Sequence, residues 1–232
     1  MKQKIQIVLL LSLIVAGVRL AYILYQRHEY QVQDAKKTAP AAPVNPDYLV
    51  FPKKLRPYDL QSAQALTSQP VWVKSGYSIT YFPYSSHADF AHAAGLLLPI
   101  ERIEIKRVVL DVLPKDPGEK QLMAVFARGG NNYAFSIGVD QGGTFQIYSD
   151  DMLFIEDPHE LYKHWPKDIW EAIDQHEVKP GMNEIQVTFA LGIGTAQGSG
   201  DGVDKTLNYA NGGKPLSVTY RGGKVAEIKA GS

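Results

Sequence analysis

Four glycine pairs do most to limit what this chain can fold into. Gly129-Gly130, Gly142-Gly143, Gly212-Gly213 and Gly222-Gly223 each fall between two runs rich in β-branched and aromatic residues. Glycine takes the positive φ of a tight turn without a steric penalty, so each pair predicts an antiparallel hairpin. The runs they join are 121–127, 133–139 and 144–148, and then 206–210, 216–220 and 224–229. Further β-prone runs precede them. Residues 71–73 and 77–82 flank Lys74-Ser75-Gly76, a hairpin signal. Residues 102–113 alternate around Ile103 and Ile105, then around Val108, Leu110 and Val112, and the phase break at Lys106-Arg107 predicts a bulge or two strands. Residues 88–94 read as a helical turn interrupting this β pattern. Residues 48–155 are therefore expected to form an antiparallel β-rich module, a small barrel or sandwich.

Past residue 155 the pattern turns helical. Asp157-Pro158-His159-Glu160 places an Asp as N-cap, Pro at the first helical position and an acid in the first turn. Pro166 breaks that helix and begins a second, which carries Ile169, Trp170 and Ile173 on one face and runs to near Val178. Asn183-x-x-Gln186 reads as a capping box opening a short helix that Gly192 closes. With the last three strands, residues 156–232 make a module of helices followed by a three-stranded meander.

This last module resembles a known family. Val178-Lys-Pro-Gly-Met-Asn-Glu-Ile-Gln-Val-Thr-Phe-Ala-Leu-Gly192 resembles the helix, Gly-Met, short helix, Leu-Gly element of the SmpA/OmlA (BamE-type) outer-membrane assembly lipoproteins. Val218-Thr-Tyr-Arg-Gly-Gly-Lys-Val225 is similar to that family's closing hairpin, and β-lactamase-inhibitor-type modules share the layout. The likeness covers roughly residues 157–229. It implies a non-catalytic module of the cell envelope that binds other proteins. The family's lipidated cysteine has no counterpart here, and a β module precedes the match.

The amino-terminal end carries the longest apolar run. Residues 5–25 supply 21 positions, enough at about 1.5 Å per residue to span about 30 Å of hydrocarbon. Lys2 and Lys4 precede the run, Tyr22 and Tyr25 sit where a membrane interface favours them, and Arg19 has to snorkel. An uncleaved signal anchor is expected over residues 1–25, single-pass in the inner (cytoplasmic) membrane, with the later domains extracytoplasmic. The competing reading is a signal peptide cleaved near Val15-Ala16-Gly17. Residues 26–47 are polar and then rich in Ala and Pro, which suits a linker, with a PxxP ligand from Pro40 to Pro43 as the rival reading. The whole fold class is thus expected to be α+β: a transmembrane helix, a β-rich module, then the helix-and-meander module.

Composition narrows the chemistry. Basic and acidic residues each number 24, and this neutral sum argues against nucleic acid as a partner. The balance is uneven: residues 150–184 hold ten acidic and three basic side chains, a net of −7. No cysteine is present, which removes disulfides, thiolate nucleophiles and Cys-ligated zinc or iron–sulfur centres. His87-x-Asp89-x-x-His92 has metal-ligand residue types, but histidines five apart diverge on a helix. The glycine-rich loop over 192–202 lacks the Gly-Lys-Ser/Thr of a phosphate cradle and follows a helix. Asp150-Asp151 and Glu156-Asp157 lack the spacing of a calcium loop. No Gly-x-Ser-x-Gly frames a serine nucleophile. No catalytic residue, metal or cofactor is expected.

Two sets of residues stand out as binding candidates. Asp168, Glu171, Asp174 and Glu177 recur at three-residue spacing on one predicted helix face, where like charges repel. Such a face suits a basic partner, and a solvated surface is the plain alternative. Phe82 and Tyr84 lie off the predicted buried face of Tyr77, Ile79 and Tyr81 and are the aromatic candidates. The expected function is a membrane-anchored envelope protein that binds or scaffolds another envelope protein without catalysis. The alternatives are an inhibitor or chaperone-like module for a secreted enzyme, or a hydrolase or glycan binder with convergent carboxylates.

Overall fold

Alternation along one three-residue strand organises the molecule. In the computed structural model, which describes residues 17–30, 45–113, 116–198 and 202–231, strand β1 (Val71–Val73) buries Val71 and Val73 in one hydrophobic core and packs Trp72 against a second. Successive strand side chains point to opposite faces, so a strand serving two cores must lie between them. After it come β2 (Ile79–Pro83), β3 (Gly95–Leu97), β4 (Arg102–Ile103), β5 (Ile105–Leu113), β6 (Asp116–Arg128), β7 (Asn131–Gln141), β8 (Thr144–Ile147) and β9 (Leu153–Phe154). β4 and β9 flank β1 as antiparallel neighbours. β9 repeats the division: Leu153 faces the first core and Phe154 the second.

The first core lies against a six-stranded sheet ordered β3-β2-β7-β6-β5, with β8 added to β7. Leu122, Ala124, Phe126, Phe135 and Ile137 fill it from β6 and β7. A smaller cluster of Met123, Val125 and Ala134 forms separately and is covered by Ala88, Phe82, Tyr84 and Phe90. The second core packs the helices on a four-stranded sheet. Its helices are α1 (Pro158–Leu161), α2 (Lys167–Asp174) and α3 (Glu184–Leu191). The sheet runs β10 (Thr195–Ala196), β11 (Lys205–Tyr209), β12 (Leu216–Arg221) and β13 (Lys224–Ala230) in order. Asp157 caps α1, accepting from the His159 amide at 2.9 Å, and the Asn183–Gln186 capping box opens α3. At the β6–β7, β7–β8 and β12–β13 turns both glycines of each pair have positive φ.

Several expectations change. No helix among the described residues is long and apolar enough to cross a membrane. The described part of the expected span lies in a helix that covers residues 17–30. Its described part also carries Arg19, Gln26, Arg27, His28 and Glu29, and the longest unbroken apolar run there is residues 20–25. The transmembrane helix, the signal anchor and the single-pass inner-membrane location are corrected accordingly, and residues 5–16 of the expected span lie outside the described residues. Of the linker, residues 31–44 also lie outside them. The fold class changes with this: the described residues form a sheet-rich α/β mixture with few helices. The chain divides into Met1–Asn45 and Pro46–Ser232, and everything below concerns the second unit.

Within that unit, the hairpin expected between 71–73 and 77–82 does not form. β1 pairs instead with strands about 30 and 80 residues downstream. β3 and β5 end the larger sheet without pairing, so it does not close as a barrel. Residues 88–94 form no helix, and Tyr84 and Ala88 make an isolated bridge instead. The closing meander gains a fourth strand, β10, on β11.

β5 is the longest edge of the larger sheet, and side chains close it. The Gln64 carboxamide donates to the Val108 carbonyl at 2.7 Å and accepts from the Val108 amide at 3.1 Å, as a neighbouring strand would. Asp111 accepts from the Val112 amide at 2.9 Å. Open edges template unwanted pairing, and such plugs suppress it. Gln64→Leu is expected to cost about 1–2 kcal/mol and to raise concentration-dependent light scattering. Urea unfolding and scattering that both match the wild type would show the plug to be idle.

Candidate functional site

An apolar groove lies where the β3 edge of the larger sheet meets the helical layer. Leu96, Leu98 and Pro99 line it from β3 and the turn after it. Ala190 and Leu191 come from α3, and Ala210, Asn211, Gly212 and Gly213 from the β11–β12 turn. Its volume is about 300 Å³, at the lower end of small-ligand and side-chain pockets. His176 is the only titratable side chain in the lining.

His176 is held there at a conformational cost. It follows α2 in a Schellman-type ending: its amide bonds to the Ile173 carbonyl at 2.9 Å and the Glu177 amide to the Ala172 carbonyl at 2.8 Å. The left-handed position that glycine usually fills is here a histidine with φ 54°. Its Nδ1 lies 2.9 Å from the Ala190 carbonyl. A carbonyl only accepts, so Nδ1 is the donor in this contact. Asn211, also in the lining, has φ 42°, and Ile100, beside Pro99, has φ 65°. Among the described residues, three of the four non-glycine positions with positive φ therefore gather at or beside one groove. Strain of this kind concentrates at binding sites, where surrounding structure holds it.

Large apolar side chains stand exposed around the groove. Leu96 in the lining is 48% exposed, Tyr77 next to Ser78 is 39% and Ile193 just past Leu191 is 74%. Ile193 reaches the β1–β2 loop, where a β-carbon placed on Gly76 would lie 2.9 Å from it. Gly76 has φ 87°, so both its backbone and this contact favour glycine there.

No family model, curated protein or solved structure matches this chain. The groove must therefore be interpreted from its own residues.

The residues singled out from sequence lie elsewhere, in two places. Asp168, Glu171 and Asp174 project from α2, whereas Glu177 lies beyond its end because the Schellman turn closes the helix at Asp174. Glu171 pairs with Lys167 at 3.5 Å, and the Asp168 carbonyl accepts from Lys179. Asp174 and Asp157 take the two nitrogens of His159, at 3.1 and 2.9 Å, and the His159 ring lies over Trp170. Much of this acidic surface thus already has partners within the chain. Phe82 and Tyr84 are half-buried on β2 and just after it: Phe82 meets Phe90, and the Arg107 guanidinium lies 5.3 Å above the Tyr84 ring.

The His87, Asp89 and His92 side chains do not converge. His87 Nδ1 lies 2.8 Å from the buried Asp111, and His92 Nδ1 lies 2.9 Å from Asp89. No three His, Asp or Glu side chains among the described residues form a metal-binding group. Of five surface clefts, none is lined by two carboxylates. Two buried tyrosines in the second core satisfy each other, with Tyr209 and Tyr220 hydroxyls 2.8 Å apart. Burial pushes the Tyr209 hydroxyl up to about 12, against the lowering effect of that bond, and burial raises Tyr220 further.

The groove itself was not visible in the sequence. Its lining comes from segments more than a hundred residues apart, from Ser78 to Gly213. The one local signal was Asn211-Gly212-Gly213, legible as a turn and silent about what the turn faces.

Proposed function

We propose that residues 46–232 act as a non-catalytic protein-binding module that takes an apolar side chain of a partner into the groove. The observation that carries this reading is the groove's character: one titratable residue, apolar walls, and exposed Tyr77, Leu96 and Ile193 beside it. Binding sites for apolar anchors share these traits: a preformed concavity, few polar groups and an apolar rim. The likeness of residues 157–229 to the assembly lipoproteins points the same way. An enzyme or glycan-binding reading would gain from a cleft with paired carboxylates.

Leu96→Glu tests the proposal, because it places a charge at the groove without touching a buried core residue. Peptides selected from a random display library on the folded protein are expected to carry a large apolar anchor. They are expected to slow amide exchange around Ala190, Leu191 and Asn211. Leu96→Glu should weaken them at least about tenfold while leaving Tm unchanged, since burying an unpaired charge is costly. His176→Gly should also weaken them, even though glycine relieves the strained φ. Binders that protect another surface, or that ignore Leu96→Glu, would overturn the reading.

A further inference from the structure

We propose that the chain pairs with a second copy of itself along the outer edge of β13. This surface is separate from the groove, and the inference stands whether or not the groove binds a partner. β13 ends the four-stranded sheet, and no strand among the described residues pairs with its outer side. Its first residues are covered: Val225 donates to the Met182 carbonyl at 2.8 Å and accepts from the Gly181 amide at 2.9 Å, and Lys224 bridges Asn183. From Ala226 to Ala230 every residue is exposed except Ile228, which is half-buried. The other long edge, β5, is plugged by Gln64 and Asp111. From Ala226 onward, nothing among the described residues plugs the β13 edge in this way.

The sequence of this edge identifies the second copy as its occupant. Its five open residues read Ala226-Glu227-Ile228-Lys229-Ala230 and are centred on Ile228. A two-fold axis through Ile228 would set two copies antiparallel over that whole length. Ala226 would then face Ala230, Glu227 would face Lys229, and Ile228 would face its own counterpart. Residues of the same parity meet in this register, so outward-pointing amides face outward-pointing carbonyls. Centring the pair on residue 227 would set Glu against Glu, and on residue 229 Lys against Lys. The register using the full open length is thus also the one that sets opposite charges face to face. The contact is isologous and closes on itself, so it joins two four-stranded sheets into one of eight strands and stops there.

An edge of five residues predicts a weak, concentration-dependent dimer. The test is sedimentation equilibrium of the full chain over about 1 µM to 1 mM, with charge reversals at the edge. The wild type is expected to move from 25.7 kDa towards twice that mass as concentration rises. Lys229→Glu or Glu227→Lys sets like charges opposite each other twice per dimer and should weaken association at least about tenfold. The double variant Glu227→Lys/Lys229→Glu restores opposite charges in the same register and should recover it. Both side chains are exposed, and their contact within one chain at 3.0 Å adds little to folding, so Tm should hold in all three variants. Leu96→Glu, which alters the groove, should leave dimerisation unchanged. A monomer at every concentration would overturn the proposal. So would a dimer indifferent to the single reversals, or one that the double swap fails to restore.

Discussion

Asp47→Ala is expected to cost about 3–5 kcal/mol of stability, although the residue belongs to no strand. Its carboxylate is almost wholly buried and accepts from His164 Nε2 at 2.6 Å, Trp165 Nε1 at 2.6 Å and Asn183 Nδ2 at 2.8 Å. Alanine would leave those donors facing an empty site, and a buried donor without an acceptor pays its full desolvation cost. Asn183 also caps α3, so the loss extends to the start of the helix that supplies Ala190 and Leu191 to the groove. Asp47→Asn should cost less, because one oxygen remains for His164 and Trp165, but its amide would meet the Asn183 amide donor to donor. Urea unfolding of the three proteins checks the order. An alanine variant within about 1 kcal/mol of the wild type would show that the cluster is not holding the fold.

The same cluster sets a pH dependence. Burial by itself pushes the Asp47 carboxyl up, but the hydrogen bonds from His164, Trp165 and Asn183, with the His164 charge, outweigh it and hold the group below its ordinary 3.8. For a carboxyl depressed in the folded state, stability rises with pH wherever the unfolded state binds more protons. Its contribution is therefore complete above about pH 4 and is lost as pH falls through the folded value. Asp47→Asn should flatten that part of the acid unfolding curve. Parallel curves for wild type and Asp47→Asn below pH 4 would exclude Asp47 as its source.

Asp47 shows which structure was legible in the sequence and which was not. Its partners stand 117, 118 and 136 residues away, so no local pattern marks it. Signals confined to a few residues were readable: the glycine pairs, the Asp157 and Asn183 caps, and the irregularity near Lys106-Arg107, where the β5–β6 register does shift. Alternation also placed Ile79 and Tyr81 on a buried face, although Tyr77 precedes the strand and is exposed. Partner choice was not readable. Val71-Trp72-Val73 is β-prone by composition, but nothing within ten residues tells that its neighbours are Ile103 and Leu153 rather than Ile79. The groove escaped for the same reason. The left-handed His176 escaped because histidine carries no turn signature of its own. The span expected from the amino-terminal apolar run is not met by any described helix, and residues 5–16 of that run lie outside the described residues.

Phe189→Ala should have an effect as large as Asp47→Ala, about 3–5 kcal/mol, and it also tests whether the two cores unfold together. Phe189 is 1% exposed, with its ring centre 4.8 Å from that of Tyr162, 4.9 Å from Trp165, 6.0 Å from Phe154 and 6.1 Å from Trp170. Alanine would open a void at the centre of the second core, where aromatic rings have little freedom to collapse into it. The three tryptophans, Trp72, Trp165 and Trp170, all belong to that core, so fluorescence reports on it alone. Far-UV circular dichroism is dominated by the strands, most of whose residues lie in the larger sheet over the first core. β1 and β9 give alternate residues to each core, Val71, Val73 and Leu153 to one and Trp72 and Phe154 to the other. Losing the second core strips one face from these strands, and strands this short have no independent stability. Both signals should therefore shift to the same lower urea midpoint in Phe189→Ala, as one cooperative transition. A fluorescence midpoint that falls while the dichroism midpoint stays would mean that the larger sheet folds without its neighbour. The partition made by β1 and β9 would then be a contact between two independent halves rather than a shared wall.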